Sequence, residues 1–292
     1  MPLVTSKRML LDAQRGGYAV AAFNIENMEM AQAVIDAAVE TGSPVLLQTT
    51  PSTLRYAAPA VFAAMVGALS AEARVPVALH LDHGDSLDLV ARALAAGYTS
   101  AMIDGSALPF EDNVALTLEA VRAAGGRVPV EGELGKVGGK EDDLSVRASA
   151  KGDSFKAKAD ANTNPEQAVS FVRRTDVDSL AVGIGTAHGF YAETPTLDLT
   201  RLAEIRRLVH VPLVLHGASG LSDADVRACI ARGICKVNFA TELRVAYTGG
   251  VKQALFDDPD LFDPKKIGVA GKRRLKERAL SMMVLCGCAG KA

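Results

Sequence analysis

The chain has 292 residues, of which 49% are hydrophobic and 23% are charged, and its formal net charge is -2. This composition is ordinary for a globular protein with a sizeable core, and the small net charge offers no electrostatic basis for binding nucleic acid or an anionic membrane. The first residues lack the zones of a secretory signal, and no apolar run reaches the roughly 18 residues of a membrane span. Four cysteines are too few for a disulfide framework. We therefore expect a cytoplasmic protein.

Short apolar runs alternate with amphipathic stretches along the chain. The first run, "YAVAAFN", is followed by the helical pattern "MEMAQAVIDAAVETG". The later runs, each separated from the next by a further stretch, are "SPVLLQT", "VPVALHLDH", "SAMIDGS", "VPVEGELG", "SLAVGIGTAHG", "VPLVLHGASG" and "ICKVNFAT". Their continuous apolar character is typical of parallel strands that are covered on both faces.

Eight such units predict an α/β protein with a (β/α)8 TIM barrel, formed by residues 1–292 as a single domain with extra C-terminal helices. The alternative is an open, doubly wound sheet. That fold usually carries a Gly-rich fingerprint after its first strand, and "AAFNIEN" contains none. The pattern therefore favours the barrel.

Polar residues stand where the apolar runs end, which in a barrel is the end that carries the chemistry. They are Asn24, Asp82, His83, Asp104, Glu133, His188, His216 and Asn238. Asn24 and Asp104 could equally well cap the helices that follow them. Three histidines and three carboxylates at one rim nevertheless predict a functional site.

The three histidines are His83, His188 and His216, at the ends of strands three, six and seven. Three neutral imidazoles with an open fourth position form a usual catalytic zinc site, so the sequence predicts one Zn²⁺ ion. His210 precedes a strand and is expected at the opposite, solvated face. His80 lies within a strand and is expected to be a hydrogen-bonded core residue or a residue that supports a metal ligand, rather than a ligand itself.

Two carboxylates are candidates for proton transfer. Asp82 precedes a predicted ligand and suits a general acid/base that acts on a substrate hydroxyl, although it could instead orient a histidine ligand. Glu141 lies in "GELGKVGGKEDD", a Gly-containing loop that could carry it into the site on closure. A solvated charge run is the simpler interpretation of that loop from the sequence alone.

The segments "HGASG" and "NFAT" follow strands seven and eight, where this fold commonly binds a phosphate through backbone amides and small hydroxyls. Gly217 permits close approach of the backbone, and Ser219 and Thr241 add hydroxyl donors. A metal, an acid/base and a phosphate site together suggest a phosphorylated carbonyl substrate whose developing enolate is stabilised by the metal.

Taken together, "HLDH", "MIDGS", "VEGELG", "IGTAHG", "LVLHGASG" and "KVNFATEL" resemble the class II, zinc-dependent ketose-bisphosphate aldolases. The resemblance covers essentially the whole chain. It is greatest to the branch that contains tagatose-1,6-bisphosphate aldolases, in which "TAHG" and "NxATEL" are typical. It implies cleavage of a ketose 1,6-bisphosphate into glycerone phosphate and glyceraldehyde 3-phosphate.

The resemblance also implies roles for individual residues. His83, His188 and His216 would hold zinc, Asp82 would take the proton from the C4 hydroxyl, and Glu141 would carry the proton at the glycerone-phosphate carbon. Asp104 and Glu133 match carboxylates that bind a second metal ion in some members, and a monovalent cation is a further alternative. The candidate substrate-binding residues are Asn24, Gly189, Gly217, Ala218, Ser219, Asn238, Phe239, Ala240 and Thr241.

One segment departs from the family pattern, and three questions stay open. The passage "SVRASAKGDSFKAKADANTNP" contains an insertion around residues 148–160 and is longer than the usual passage to "TNP". The alternatives in function are a fructose-1,6-bisphosphate aldolase, a non-catalytic barrel subunit of an aldolase complex, and a barrel aldolase with Lys236 as a Schiff-base lysine. We expect a homo-oligomer, a dimer or tetramer, and leave open the need for an activating partner subunit.

Overall fold

Eight parallel strands close into one barrel in the computed structural model, which describes residues 3–138, 161–189, 191 and 195–292. Every strand pairs with its neighbours in chain order, and the last pairs with the first. The strands are β1 (Val20–Asn24), β2 (Val45–Thr49), β3 (Val77–Gly84), β4 (Ser100–Ile103), β5 (Val130–Leu134), β6 (Ser179–Val182), β7 (Leu213–Leu215) and β8 (Ile234–Phe239). The predicted barrel is confirmed, and the open sheet is wrong.

Helices surround the barrel and join successive strands. Within the described ranges they are α1 (Ser6–Gly16), α2 (Met28–Thr41), α3 (Pro51–Tyr56), α4 (Pro59–Glu72), α5 (Leu87–Ala96), α6 (Phe110–Ala124), α7 (Pro165–Thr175), α8 (Leu199–Leu208), α9 (Asp223–Ile230), α10 (Thr241–Asp257) and α11 (Pro264–Cys286). None of these helices combines the length and the apolar character that crossing a membrane requires.

The helices begin where short polar side chains satisfy their first amide groups. The residues whose side chains accept these hydrogen bonds include Asn27, Ser86, Asn164, Asp198 and Ser222. Asn24 and Asp104, which could have been caps, lie outside this set because α2 is capped by Asn27 and α6 begins after Pro109. Both polar side chains are therefore free to serve the rim of the barrel.

The interior of the barrel is lined by alternate residues of each strand. In β5, a Cβ atom added at Gly132 would meet the Phe171 ring of α7 at 2.8 Å, so Gly132 faces the outer helices. Glu131 and Glu133 must then face the interior, since successive side chains of a strand point to opposite sides. Both glutamates are almost completely buried. This barrel therefore carries charged groups in its core.

Candidate active site

Three histidines converge at the C-terminal end of the barrel, as the sequence predicted. His83 is the next-to-last residue of β3, His216 directly follows β7, and His188 lies six residues beyond β6. One nitrogen atom from each ring lies within 4.8 Å of the others. His83 Nε2 lies 2.8 Å from His216 Nδ1.

His83 reaches this position through an unusual backbone conformation. Its φ angle is 48°, in the left-handed region that residues other than glycine rarely occupy. The register of β3 against β4 shifts between Leu81 and Gly84, so the strand bulges at His83. Bulges and such strained residues are found preferentially at functional sites, where they redirect a side chain. The distortion here turns the imidazole toward His188 and His216.

Carboxylates fix the orientation of two of the rings. His83 Nδ1 lies 2.9 Å from Asp104 Oδ2 and 3.7 Å from Glu133 Oε2. His216 Nε2 lies 2.9 Å from Glu131 Oε1. Each carboxylate holds one ring nitrogen and leaves the other nitrogen to face the cluster. Metal-binding histidines usually have such a partner.

Burial and charge set the protonation of these groups. Burial would raise the pKa of Asp104, but the hydrogen bond and charge of His83 and the hydrogen bonds from Ser106 reverse this and hold that pKa well below its usual range. Burial, and after it the charge of Asp104, raises the pKa of Glu133 well above the ordinary value. Burial also lowers the pKa of His216, which keeps this imidazole neutral as a metal ligand must be.

The donor set fits a zinc ion. Three imidazole nitrogens are a usual zinc set when a fourth position is left for substrate. A second group, His83, Asp104 and Glu133, also places its ligand atoms within 4.8 Å of one another. Among the described residues, Glu133 Oε2 is a buried oxygen without a hydrogen-bond partner, and a bound cation would compensate it.

Asp82 is held beside the histidines by amide groups. It is completely buried, and its two carboxylate oxygens accept hydrogen bonds of 2.9 Å from Asn24 Nδ2 and from Asn238 Nδ2. Gln48 in turn donates to Asn24 Oδ1 at 2.6 Å. The carboxylates that hydrogen-bond the ring nitrogens of His83 and His216 are Asp104 and Glu131. A buried carboxylate held in one orientation by two amides is suited to a chemical role.

The predicted phosphate loops lie next to this cluster. Gly217 has a φ angle of 66°, and a Cβ atom there would lie 2.5 Å from the Ala187 carbonyl oxygen, so any other residue at this position would be strained. The Tyr191 hydroxyl joins the segment after β6 to the loop after β7, since it accepts from Ala187 N at 2.8 Å and donates to Gly217 O at 2.7 Å. Burial raises the pKa of Tyr191 to about 12, so the hydroxyl keeps its proton.

Helix α10 begins directly after β8 and points its N-terminus at this rim. Ala240, the residue before it, provides no side-chain cap, so the first amides of the helix are available to an anion. Three buried polar residues lie nearby: Ser219 after β7, Asn238 in β8 and Thr241 at the start of α10. These groups are suited to bind a phosphate.

Other predicted residues have different surroundings. Phe239 stacks on Phe23 with ring centroids 5.8 Å apart, so its side chain packs in the core. Ala218 is also buried in the core, and Gly189 has a φ angle of 91° with nothing within 4 Å of an added Cβ atom. Glu141 and residues 148–160 lie outside the described residues. Their predicted roles stay predictions.

Comparisons with known proteins agree with this geometry. A family model described as class-II fructose-bisphosphate aldolase matches residues 4–291. The chain is similar to the YdjI aldolase from Escherichia coli K12, with a TM-score of 0.86 and 38% sequence identity over 99% of both chains. It has the fold of a fructose-bisphosphate aldolase from Campylobacter jejuni, with a TM-score of 0.84 and 21% identity over 100% of this chain and 97% of that chain.

Proposed function

The chain belongs to the class-II fructose-bisphosphate aldolase family, and from this premise we propose that it is a zinc-dependent enzyme that reversibly cleaves a ketose 1,6-bisphosphate. The products are glycerone phosphate and glyceraldehyde 3-phosphate. Tagatose 1,6-bisphosphate is the favoured substrate, because "TAHG" and "NxATEL" resemble that branch of the family. Fructose 1,6-bisphosphate, its C4 epimer, is the alternative.

One observation carries the proposal: a buried carboxylate that is held in a fixed orientation lies beside three convergent imidazoles. Zinc, when bound by His83, His188 and His216, polarises a substrate carbonyl and stabilises the negative charge that develops on its oxygen. The glycerone-phosphate half of the ketose carries this carbonyl. Cleavage then needs a base for the hydroxyl on the other half.

Asp82 is that base. During cleavage it accepts the proton of the C4 hydroxyl while the C3–C4 bond breaks, and the C4 carbon becomes the aldehyde of glyceraldehyde 3-phosphate. In condensation it returns the proton to the same oxygen. Because Asn24 and Asn238 hold its two oxygens, the carboxylate keeps one orientation throughout the reaction. Positioned general bases require this kind of control.

The glycerone-phosphate half is bound by the loops after β7 and β8. Ser219 and Thr241 donate hydroxyls to its phosphate, and the N-terminal amides of α10 add their partial positive charge. Glu141 exchanges the proton at the glycerone-phosphate carbon that loses its bond to C4. Asp104 and Glu133 supply a further cation site beside His83.

The test compares both bisphosphates on one preparation of the protein. We expect chelation to abolish cleavage and added zinc to restore it, with tagatose 1,6-bisphosphate giving the higher kcat/KM. Full activity after complete removal of metal would contradict the zinc assignment. A higher kcat/KM for fructose 1,6-bisphosphate would overturn the substrate preference and leave the chemistry in place.

The same preparation separates the remaining alternatives. A Schiff-base enzyme would be trapped covalently by borohydride with glycerone phosphate, whereas Lys236 is completely buried and paired with Glu131 at 2.8 Å. A non-catalytic subunit would show no turnover on its own. We also propose a cytoplasmic homo-oligomer, a dimer or tetramer, which light scattering of the purified protein checks.

A further inference from the structure

A second polar cluster lies beneath the histidines, inside the barrel. It consists of His80 in β3, Glu131 in β5 and Lys236 in β8, and these side chains are at most 2% exposed. Lys236 Nζ lies 2.8 Å from Glu131 Oε2 and 3.3 Å from His80 Nε2. The mechanism proposed above uses none of the three.

The directions of these hydrogen bonds are determined by chemistry. An ammonium group only donates, and an ionised carboxylate only accepts. Lys236 therefore donates to Glu131 Oε2, and His216 Nε2–H donates to Glu131 Oε1 at 2.9 Å. Asn238 Nδ2 also lies 3.4 Å from His216 Nε2, but this longer contact at the distance limit cannot displace the shorter, charge-assisted bond.

The consequence for His216 follows from the single proton of a neutral imidazole. With the proton on Nε2, the lone pair must be on Nδ1. Nδ1 is the atom that lies 2.8 Å from His83 Nε2, and it faces the cluster of three histidines. The carboxylate thus determines which nitrogen His216 offers to a metal.

The cluster is anchored at its other end as well. Because Lys236 donates to His80 Nε2, the proton of a neutral His80 is on Nδ1, which lies 2.7 Å from Ser100 Oγ. Ser100 Oγ is also 2.8 Å from Ser6 Oγ in α1. A continuous row of hydrogen bonds therefore runs from α1 through the barrel to the metal-binding end and restrains the ammonium group in place.

We propose that Glu131, held by Lys236 and His80, is a positioning residue that sets the tautomer and the ring orientation of His216 for metal binding. The inference rests on the proposed zinc site. A purely structural role is a weaker account, because a buried ion pair is often no more stabilising than apolar side chains of the same volume. Retaining three polar groups in the core is better explained by what they do for His216.

The decisive variant is the double substitution E131L/K236M. It removes both charges together, so neither charge is left buried without its partner. Because His216 Nε2 and His80 Nε2 lose their hydrogen-bond partners, we expect a folded protein that is less stable than the wild type. Zinc affinity, measured by competition with a chromogenic chelator, should fall by about 10–100-fold, the usual effect of losing a carboxylate partner of a metal-binding histidine. A folded double variant with wild-type zinc affinity would overturn the proposal.

A matched control removes a buried hydrogen bond elsewhere in the core. Tyr98 is 1% exposed, and its hydroxyl bonds Thr49 Oγ1 at 2.8 Å. We expect Tyr98→Phe to bind zinc as tightly as the wild type, even if its free energy of unfolding falls. An equal loss of zinc affinity in this variant would attribute the effect to general loosening of the core and would count against positioning.

A spectroscopic measurement tests the idea without any metal and without relying on a variant that folds. Nitrogen-15 chemical shifts of the His216 ring in metal-free wild-type protein should report the proton on Nε2. A proton on Nδ1 would refute the inference, whatever the enzyme's activity. Since this readout involves neither zinc nor substrate, a failure of the proposed function alone, such as no turnover of either bisphosphate, leaves its outcome unchanged.

Discussion

Replacement of Asp82 tests the central chemical assignment, and the surroundings of this residue determine the choice of variant. In Asp82→Ala, the amides of Asn24 and Asn238 both lose their acceptor in a pocket that is almost fully buried. Each orphaned donor costs about 1–3 kcal/mol, so the free energy of unfolding should fall by roughly 2–6 kcal/mol unless water enters the space. Asp82→Asn keeps the volume of the side chain and the acceptor for one of these amides, although its new NH2 group faces the other amide donor, so it should lose less than Asp82→Ala.

Asp82→Asn is therefore the variant in which folding and catalysis separate most clearly. Neither group of metal-binding side chains includes Asp82, so the variant should retain its zinc. Cleavage should fall by about 10²–10⁴-fold, the usual contribution of a positioned proton acceptor. Proton exchange at the glycerone-phosphate carbon should fall much less, because that proton is assigned to Glu141 and the glycerone-phosphate half is bound elsewhere.

Three measurements on the purified variant check this expectation: zinc content after dialysis, the rate of glyceraldehyde 3-phosphate release, and hydrogen exchange into glycerone phosphate. Asn24→Ala is the control, since it removes one donor to Asp82 and keeps the carboxylate. Its cleavage rate should fall less than that of Asp82→Asn. Loss of zinc in Asp82→Asn would assign the carboxylate to support of the histidines, and equal losses of cleavage and exchange would refute its specific role at the C4 hydroxyl.

Three further predictions concern the framework of the site. Gly217→Ala should lower the free energy of unfolding by about 1–3 kcal/mol more than Gly17→Ala. Both glycines have a φ angle of 66°, but only at Gly217 would an added Cβ atom meet another part of the backbone, at 2.5 Å. Equal losses of stability in thermal unfolding would refute this. Tyr191→Phe removes the hydroxyl that joins two loops, so calorimetry should find weaker glycerone-phosphate binding at unchanged zinc content. Asp198→Asn keeps the cap of α8 but removes a carboxylate whose pKa is lowered by the hydrogen bond from Arg201. In urea unfolding, the variant should be less stable than the wild type above the ordinary pKa of 3.8. This difference in the free energy of unfolding should vanish as the pH falls through the lowered pKa.

The fold could be predicted because several local signals in this sequence agree with one another. Continuous apolar runs of strand length, amphipathic stretches of helix length and glycines between them all point to βα units. The polar residues at the strand ends were equally informative, since a closed parallel barrel brings all such ends to one rim. His83, His188 and His216 could thus be grouped, although His83 and His216 are 133 positions apart in the sequence.

The cluster of His80, Glu131 and Lys236 was missed because it lies below the strand ends. His80 was expected to be a hydrogen-bonded residue of the core or one that supports a metal ligand, and Lys236 was considered only as a nucleophile. A signal was nevertheless present. In β3, β5 and β8 these residues precede the rim residues Asp82, Glu133 and Asn238 by two positions, and residues two apart in a strand face the same side.

Other features cannot be obtained from such patterns. The left-handed backbone at His83 has no sequence signature, because it results from the register shift between β3 and β4. The hydroxyl of Tyr191 joins two loops whose spacing is a tertiary property. The preference for one C4 epimer depends on the orientation of a few contacts around a single hydroxyl, which neither periodicity nor composition encodes.

The two polar layers also explain how one barrel interior can serve both stability and chemistry. At the rim, the proposed roles of Asp82 and the imidazoles require these groups to face substrate and metal. One layer deeper, Glu131 and Lys236 neutralise each other at 2.8 Å within the core. The deeper pair can therefore transmit a fixed orientation to His216 without adding net charge to the interior. An apolar layer would pack equally well, but it could not specify which nitrogen of His216 carries the proton.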